Sequence, residues 1–219
     1  MNFAASERVL AELVPSIIYF NSHSTPVWRQ QRWNEGQYQE FIRKNGCGHC
    51  CTAMALRLNG IYNIDPHDEF TLCRELWGEP QKDREFPQDN LQSVSGITKI
   101  LHHYGIAAEY FGVKDLKTAR KHIETALKTG KQVIFWSHPT EDFPENPFSK
   151  HEHYVLAVGY TEDGQIMVAN SSERWTQTGV QLVNIETIKK ALFLGADPID
   201  MTWGERDHYI NCAGYVVVG

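Results

Sequence analysis

The chain has 219 residues, and its content of 42% hydrophobic and 11% aromatic residues is that of an ordinary globular protein. The formal net charge of −6 and the scattered basic residues argue against nucleic acid or an anionic membrane surface as a partner. No apolar run approaches the ~20 residues that span a bilayer, and no basic leader precedes an apolar block. We therefore expect neither a transmembrane segment nor a signal peptide.

The first half of the chain is predicted to be mainly helical. The segment 47–58 has the pattern of a helix that Asn59-Gly60 ends, and Asp65-Pro66 begins the next one. Apolar residues recur with helical spacing in the two later helices of this half. The predicted helices are 3–14, 47–58, 65–77, 91–104 and 115–129, and the predicted strands are 17–20, 106–111 and 132–136.

Strands dominate the second half. Residues 137–150 are polar and proline-rich, a loop of the kind that closes over a site as a lid. The strongest β signal is a hairpin of residues 154–170 that turns at 161–164. A strand at 180–183, a helix at 186–194 and a closing strand at 209–218 follow. We predict an α+β protein with a largely antiparallel sheet, built as one domain of residues 1–219.

Three of the five cysteines lie in the segment Asn45–Leu56, at the start of a predicted helix. Unpaired N–H groups at a helix N-terminus lower the pKa of a thiol, and the glycines on both sides of Cys47 leave its sulfur accessible. Cys50 and Cys51 lie one turn further in, where we expect inert, buried thiols. We therefore predict that Cys47 is a nucleophile. Neighbouring cysteines suit a reducing compartment, so we also predict that the protein is cytoplasmic.

The same segment also contains C-G-H-C, the thiol pair of thiol–disulfide oxidoreductases. That chemistry requires the pair to follow a buried β-strand directly, whereas residues 41–46 are charged. Cys51 would add a third thiol that invites unwanted exchange. Thiol–disulfide exchange at Cys47 and Cys50 is therefore the alternative function, and insulin reduction that Cys50→Ser abolishes would favour it.

The pattern N-G-C-G-x-x-x-x-A-M-x-L, spelled by Asn45–Leu56, resembles the nucleophile segment of the bacteriocin-leader-processing-like cysteine peptidases, a papain-fold family. The resemblance extends to H-Y-V-x-x-V-G-Y, spelled by His153–Tyr160, and to Asn170 after the next strand. It implies a papain-like fold with a central helix packed on an antiparallel sheet, and a triad of Cys47, His153 and Asn170. It also implies hydrolysis of a peptide, isopeptide or amide bond. His49 stands where members usually carry proline, so a catalytically inactive binding module is a further alternative.

The hairpin spacing allows His153 and Asn170 to meet. If Tyr160 pairs with Gln165 across the turn, His153 lies opposite Ser172, and Asn170 is its diagonal neighbour on the same face. Diagonal Cα atoms lie ~7–8 Å apart, within reach of an imidazole and a carboxamide. A tighter turn favours Ser172 over Asn170, and a single bulge in this register places His153 and Asn170 on opposite faces.

Thiol hydrolysis gives each residue of the predicted triad a role. His153 takes the Cys47 proton and later protonates the leaving group, while Asn170 accepts a hydrogen bond from the far ring nitrogen. The Cys47 N–H is one donor to the oxyanion, and an upstream glutamine is the usual second donor in papain-like folds. The candidates for that glutamine are Gln30, Gln31, Gln37 and Gln39.

The sequence predicts no metal and no cofactor. His151 and His153 are spaced to share one face of a strand, but a structural zinc site usually has two paired ligand motifs and the chain has a single C-x-x-C pair. No glycine loop of the kind that binds nucleotides is present in the sequence. The predicted partner is a peptide or protein substrate.

Overall fold

The computed structural model describes residues 47–61, 93–112, 116–139, 144–170, 180–192 and 213–219. The predicted helices at 3–14 and 65–77 and the predicted strand at 17–20 lie outside these residues. The helices are α1 (Cys47–Leu58), α2 (Val94–His103), α3 (Leu116–Lys128) and α4 (Ile185–Ala191). The strands are β1 (Ala108–Phe111), β2 (Gln132–Ser137), β3 (His153–Tyr160), β4 (Ile166–Ala169), β5 (Val180–Val183) and β6 (Tyr215–Val218).

Helix α1 has the predicted bounds, and its C-terminus shows why it ends where it does. Gly60 adopts a φ of 88°, a left-handed conformation that glycine takes at little cost. The turn lets the Ile61 N–H donate to the Leu56 carbonyl at 3.1 Å, one of the two bonds of a Schellman motif. Gly105 and Gly130 end α2 and α3 with the same pattern.

The described strands form one antiparallel sheet in the order β1-β6-β2-β3-β4-β5. The closing strand β6 lies between β1 and β2, so the C-terminal residues pair on both sides. Gly214, just before β6, passes so close to β1 that a Cβ there would lie 2.4 Å from the Phe111 carbonyl oxygen. Helices packed on this antiparallel sheet confirm the predicted α+β class.

Helices cover both faces of the sheet. Alternate residues of β2 point to opposite sides, so Ile134 and Trp136 pack with α1 and α2, whereas Val133 and Phe135 pack with α3. Buried residues of α4 join the second cluster. Helix α1 packs against β3, the strand that begins with His153. The predicted arrangement of a central helix on an antiparallel sheet is confirmed.

A charged cluster joins α3 to α4 on the outer surface. Glu124 accepts hydrogen bonds from Lys128 at 2.7 Å and from Lys189 at 2.8 Å. These two bonds, that of Lys128 first, lower the pKa of Glu124 to about 2. The Arg120 Nε also donates to the Lys189 carbonyl at 2.7 Å, so the two helices are joined by both side-chain and backbone groups.

Part of the predicted lid belongs to the protein core. Phe148 is fully buried and meets the Phe135 ring edge-on, with 5.7 Å between ring centroids. Asn146 and Ser149 are also buried. Residues 146–149 of the predicted lid loop therefore pack against the sheet. No helix within the described ranges has the length and apolar character of a membrane span.

Candidate active site

Cys47 is the first residue of α1, as the sequence predicted for the nucleophile. Its side chain is half-buried, whereas Cys50 and Cys51 are completely buried. The small residues Ala53 and Ala55 are buried on the same helix, which lets α1 approach the sheet closely. Cys47 is therefore the most accessible of the described thiols.

The electrostatic environment of the Cys47 thiol differs from the prediction. Burial raises the pKa of Cys47 above its ordinary value, and the Glu152 carboxylate adds to the rise. Hydrogen bonding from the backbone N–H groups of Tyr154, Gly48 and Cys47 itself lowers the pKa, but by less. The prediction that the helix start lowers the pKa of this thiol is therefore wrong. The N–H groups do lower the pKa, but the loss of water around the thiolate raises it by more.

The contact with Tyr154 also locates the sulfur. Tyr154 directly follows His153, and its backbone N–H faces Cys47. The N-terminus of α1 therefore meets the first residues of β3. His153 is 5% exposed and pairs across the sheet with Ser137 at the end of β2.

His153 contacts Asn170 directly. The ring Nε2 lies 2.8 Å from the Asn170 Oδ1, and Asn170 is completely buried. A buried bond of this length holds the imidazole plane in one orientation.

The register at the turn of the hairpin differs from the predicted one. Tyr160 pairs with Ile166 and not with Gln165. Continued along the hairpin, this register would put His153 and Asn170 on opposite faces of the sheet, because side chains alternate from one residue to the next.

A β-bulge compensates for this offset. The register shifts by one residue directly after Ala157, and Leu156 pairs with Ala169. This second register returns His153 and Asn170 to one face as diagonal neighbours. The turn and the bulge each differ from the simplest hairpin, and only together do they bring the two side chains into contact.

Two further groups bond to Asn170 and a third holds one of them, and no sequence motif indicated any of the three. The Asn170 Nδ2 donates to the Phe148 carbonyl and to the Gln181 Oε1, both at 3.0 Å. The Gln181 Nε2 in turn donates to the Pro147 carbonyl at 2.8 Å. Two partners come from the buried loop and one from β5, so their positions depend on tertiary packing rather than on a local motif.

The buried loop is itself fixed by a side chain. The Phe148 N–H donates to the Asn146 Oδ1 at 2.9 Å, and the Asn146 Nδ2 donates to the Ser137 Oγ at 2.8 Å. Glu152, whose charge acts on the Cys47 thiol, lies 3.9 Å from the His138 Nε2. The His153–Asn170 pair is thus enclosed by a polar network that runs from β2 to β5.

Other predicted site residues are placed differently or lie elsewhere. The four glutamines proposed as oxyanion donors and Ser172 fall outside the described residues, as does the side chain of His49. His151 is exposed and precedes β3, so it does not share a strand face with His153. Within the described part of the chain, no three ligand-type side chains are grouped to bind a metal ion.

Comparison with known proteins agrees with the motifs. The Peptidase_C39 like family matches residues 24–193. A solved structure of a Bacillus anthracis protein assigned as a C39-like peptidase aligns with 80% of this chain and 89% of its own, at 14% identity and a TM-score of 0.47. No curated protein matches the chain significantly. Because the family match covers well over half of the sequence, the chain belongs to the Peptidase_C39-like family.

Proposed function

We propose that the protein is a cysteine peptidase that hydrolyses peptide bonds with Cys47, His153 and Asn170. The observation that carries the proposal is the buried 2.8 Å contact between the His153 Nε2 and the Asn170 Oδ1. The half-buried Cys47 faces the backbone N–H of Tyr154, the residue that follows His153. Membership of a peptidase family supports the same activity. A peptide or protein is the corresponding substrate.

The raised pKa of Cys47 makes a base necessary. A thiol whose pKa lies above its ordinary value is protonated at neutral pH, and the neutral thiol is a poor nucleophile. Asn170 presents an acceptor oxygen, so the His153 Nε2 carries a proton and Nδ1 is the basic nitrogen. His153 therefore supplies the base, through the nitrogen that Asn170 leaves unprotonated.

The reaction then follows from these assignments. As the Cys47 sulfur bonds to the substrate carbonyl carbon, its proton moves to the His153 Nδ1, and the carbonyl oxygen becomes an oxyanion. The Cys47 backbone N–H donates to that oxyanion. The imidazolium gives its proton to the departing amine as the C–N bond breaks, and water hydrolyses the remaining thioester with His153 again as the base.

Thiol–disulfide exchange gains no support from the family match. Cys50, the second thiol of the C-G-H-C pair, lies within α1 and is completely buried. The third possibility is a binding module that has the same fold but no catalytic activity. An activity measurement distinguishes this module from the proposed peptidase.

The proposal is tested by incubating the purified protein with a mixture of peptides from a digested proteome and identifying new termini by mass spectrometry. We expect cleavage products that are absent with Cys47→Ala and with His153→Ala. Cys50→Ser should leave the cleavage unchanged, because it removes only a buried thiol. Cleavage that persists in Cys47→Ala, or insulin reduction that Cys50→Ser abolishes, would contradict the proposal.

A further inference from the structure

We propose that Gln181 is a positioning residue for His153 and that it acts through Asn170. Together with the Phe148 carbonyl, it holds the Asn170 amide in the one orientation in which the oxygen, and not the nitrogen, faces the imidazole. The consequence for catalysis rests on the proposed function. The effect on the His153 proton does not, because it follows from the hydrogen bonds alone.

Two backbone carbonyls determine how both amides are oriented. A carbonyl oxygen only accepts hydrogen bonds, so the Asn170 atom that faces the Phe148 carbonyl must be Nδ2. By the same reasoning, the Gln181 atom that faces the Pro147 carbonyl must be Nε2. The remaining Gln181 atom, Oε1, then accepts from the Asn170 Nδ2. The positions of oxygen and nitrogen in both amides therefore follow from the two carbonyls, which can only accept hydrogen bonds.

These bonds continue to the imidazole. With both Nδ2 protons of Asn170 donated, its Oδ1 is left for His153, and an acceptor at 2.8 Å requires a proton on Nε2. The bonds therefore run from the Pro147 carbonyl through Gln181 and Asn170 to His153. If the Gln181 amide were removed, one Nδ2 proton of Asn170 would lose its acceptor, and the amide would be less firmly held.

The sheet explains how Gln181 reaches Asn170. Gln181 lies directly opposite Val168, two residues before Asn170, so all three share one face. On the other face of β5, Leu182 is 53% exposed. A glutamine directed inward beside an exposed leucine reverses the usual pattern of a strand at the edge of a core. The inward direction of Gln181 is consistent with a role in the polar network.

The test uses Gln181→Met, which keeps the side-chain length and removes the amide. His153 is observed in long-range proton–nitrogen NMR spectra of protein labelled with ¹⁵N-histidine, and its signals are assigned with His153→Gln. We expect a single tautomer with the proton on Nε2 in the wild type and a mixture of tautomers in Gln181→Met. The control is Gln165→Met, the same change at an exposed position in the β3–β4 turn, which should match the wild type.

Alkylation of Cys47 by iodoacetamide at pH 7, followed by peptide mapping, gives the second measurement. Gln181→Met should lower the rate by about 3- to 10-fold, the effect expected for the loss of one hydrogen bond to a buried partner. In an Asn170→Ala background, Gln181→Met should cause no further decrease, because a residue that acts through Asn170 has no effect without it. An equal decrease in both backgrounds would overturn the inference in favour of a general structural role.

A wild-type tautomer and rate in folded Gln181→Met would also overturn the inference. If this variant does not fold, the wild-type protein still provides a test, because both Asn170 side-chain protons should exchange slowly with solvent. Rapid exchange of either proton would exclude the assigned bonds. Failure of the proposed function is recognised separately: Cys47 would then alkylate equally fast with and without His153, while the His153 tautomer would still report on Gln181.

Discussion

The substitution Asn170→Asp tests whether the surroundings of this side chain require an amide. A carboxylate has nearly the same shape and would be the stronger acceptor for an imidazolium, so the contact with His153 alone predicts a gain in stability. The described structure predicts the opposite. Both groups that now accept from Asn170 Nδ2, the Phe148 carbonyl and the Gln181 Oε1, would face a second acceptor.

The size of the effect follows from these contacts. Two hydrogen bonds are lost at about 1 kcal/mol each, and the buried acceptors left without donors add about 1–3 kcal/mol, giving a loss of about 3–5 kcal/mol in the free energy of unfolding at pH 7. For a protein of this size, the melting temperature falls by roughly 6–20 °C. Gln181 could turn its amide to donate, but its oxygen would then face the Pro147 carbonyl.

The loss should depend on pH in a definite direction. Burial against two acceptors raises the pKa of the introduced carboxyl in the folded state. A protonated carboxyl can donate to the Phe148 carbonyl, so the deficit is small below the unfolded aspartate pKa of ~3.9 and grows as the pH rises. Thermal unfolding of the wild type and of Asn170→Asp between pH 4 and 8 measures it.

The matched control is Asn146→Asp. Asn146 is also buried, but its Nδ2 donates to the Ser137 hydroxyl, which can rotate and donate in return. The control should therefore lose less stability than Asn170→Asp. The assigned hydrogen bonds of Asn170 are refuted if Asn170→Asp is as stable as the wild type at pH 7, or if its loss of stability grows as the pH falls, which would indicate an ion pair with His153.

Three other substitutions, one of them with a matched control, test separate parts of the fold by thermal or urea unfolding. Gly214→Ala brings a Cβ to 2.4 Å from the Phe111 carbonyl oxygen and should cost about 1–3 kcal/mol, whereas Gly112→Ala meets no atom within 4 Å and should be nearly neutral. Glu124→Gln should cost about 1 kcal/mol or less at neutral pH, and because the folded pKa is lowered from 4.5 to about 2, the cost should disappear as the pH falls through that range. The buried Tyr160 hydroxyl has no hydrogen-bond partner among the described residues, so Tyr160→Phe should change stability by less than about 1 kcal/mol or increase it. A loss above that value in Tyr160→Phe, or equal losses in the two glycine variants, would contradict these assignments.

Local patterns were sufficient to predict most described elements. Helical spacing and C-terminal glycines predicted α1, α2 and α3, and the turn between two apolar runs predicted the β3–β4 hairpin. These signals are local because each helix end or turn is closed by hydrogen bonds between residues close in sequence. The family resemblance was likewise visible in two short motifs and Asn170, and it is confirmed by the match over residues 24–193.

Features that depend on tertiary packing were not predicted. The register at the turn differs from the predicted one, and the bulge after Ala157 compensates for it. The sequence contains no pattern that indicates either the turn register or the bulge. Gln181 and Phe148 contact Asn170 only because β5 and the buried loop converge on it. The direction of the Cys47 pKa shift was also missed, since the sequence shows the helix start but not how much water the folded chain excludes.

The most direct test of Cys47 as a nucleophile activated by His153 is its rate of alkylation by iodoacetamide at pH 7. The wild type is compared with His153→Ala and with His151→Ala, which removes an exposed imidazole two residues away. If His153 is the base, His153→Ala lowers the rate at least about tenfold and His151→Ala leaves it unchanged. Equal rates in all three proteins would show that the Cys47 thiol is not activated by His153.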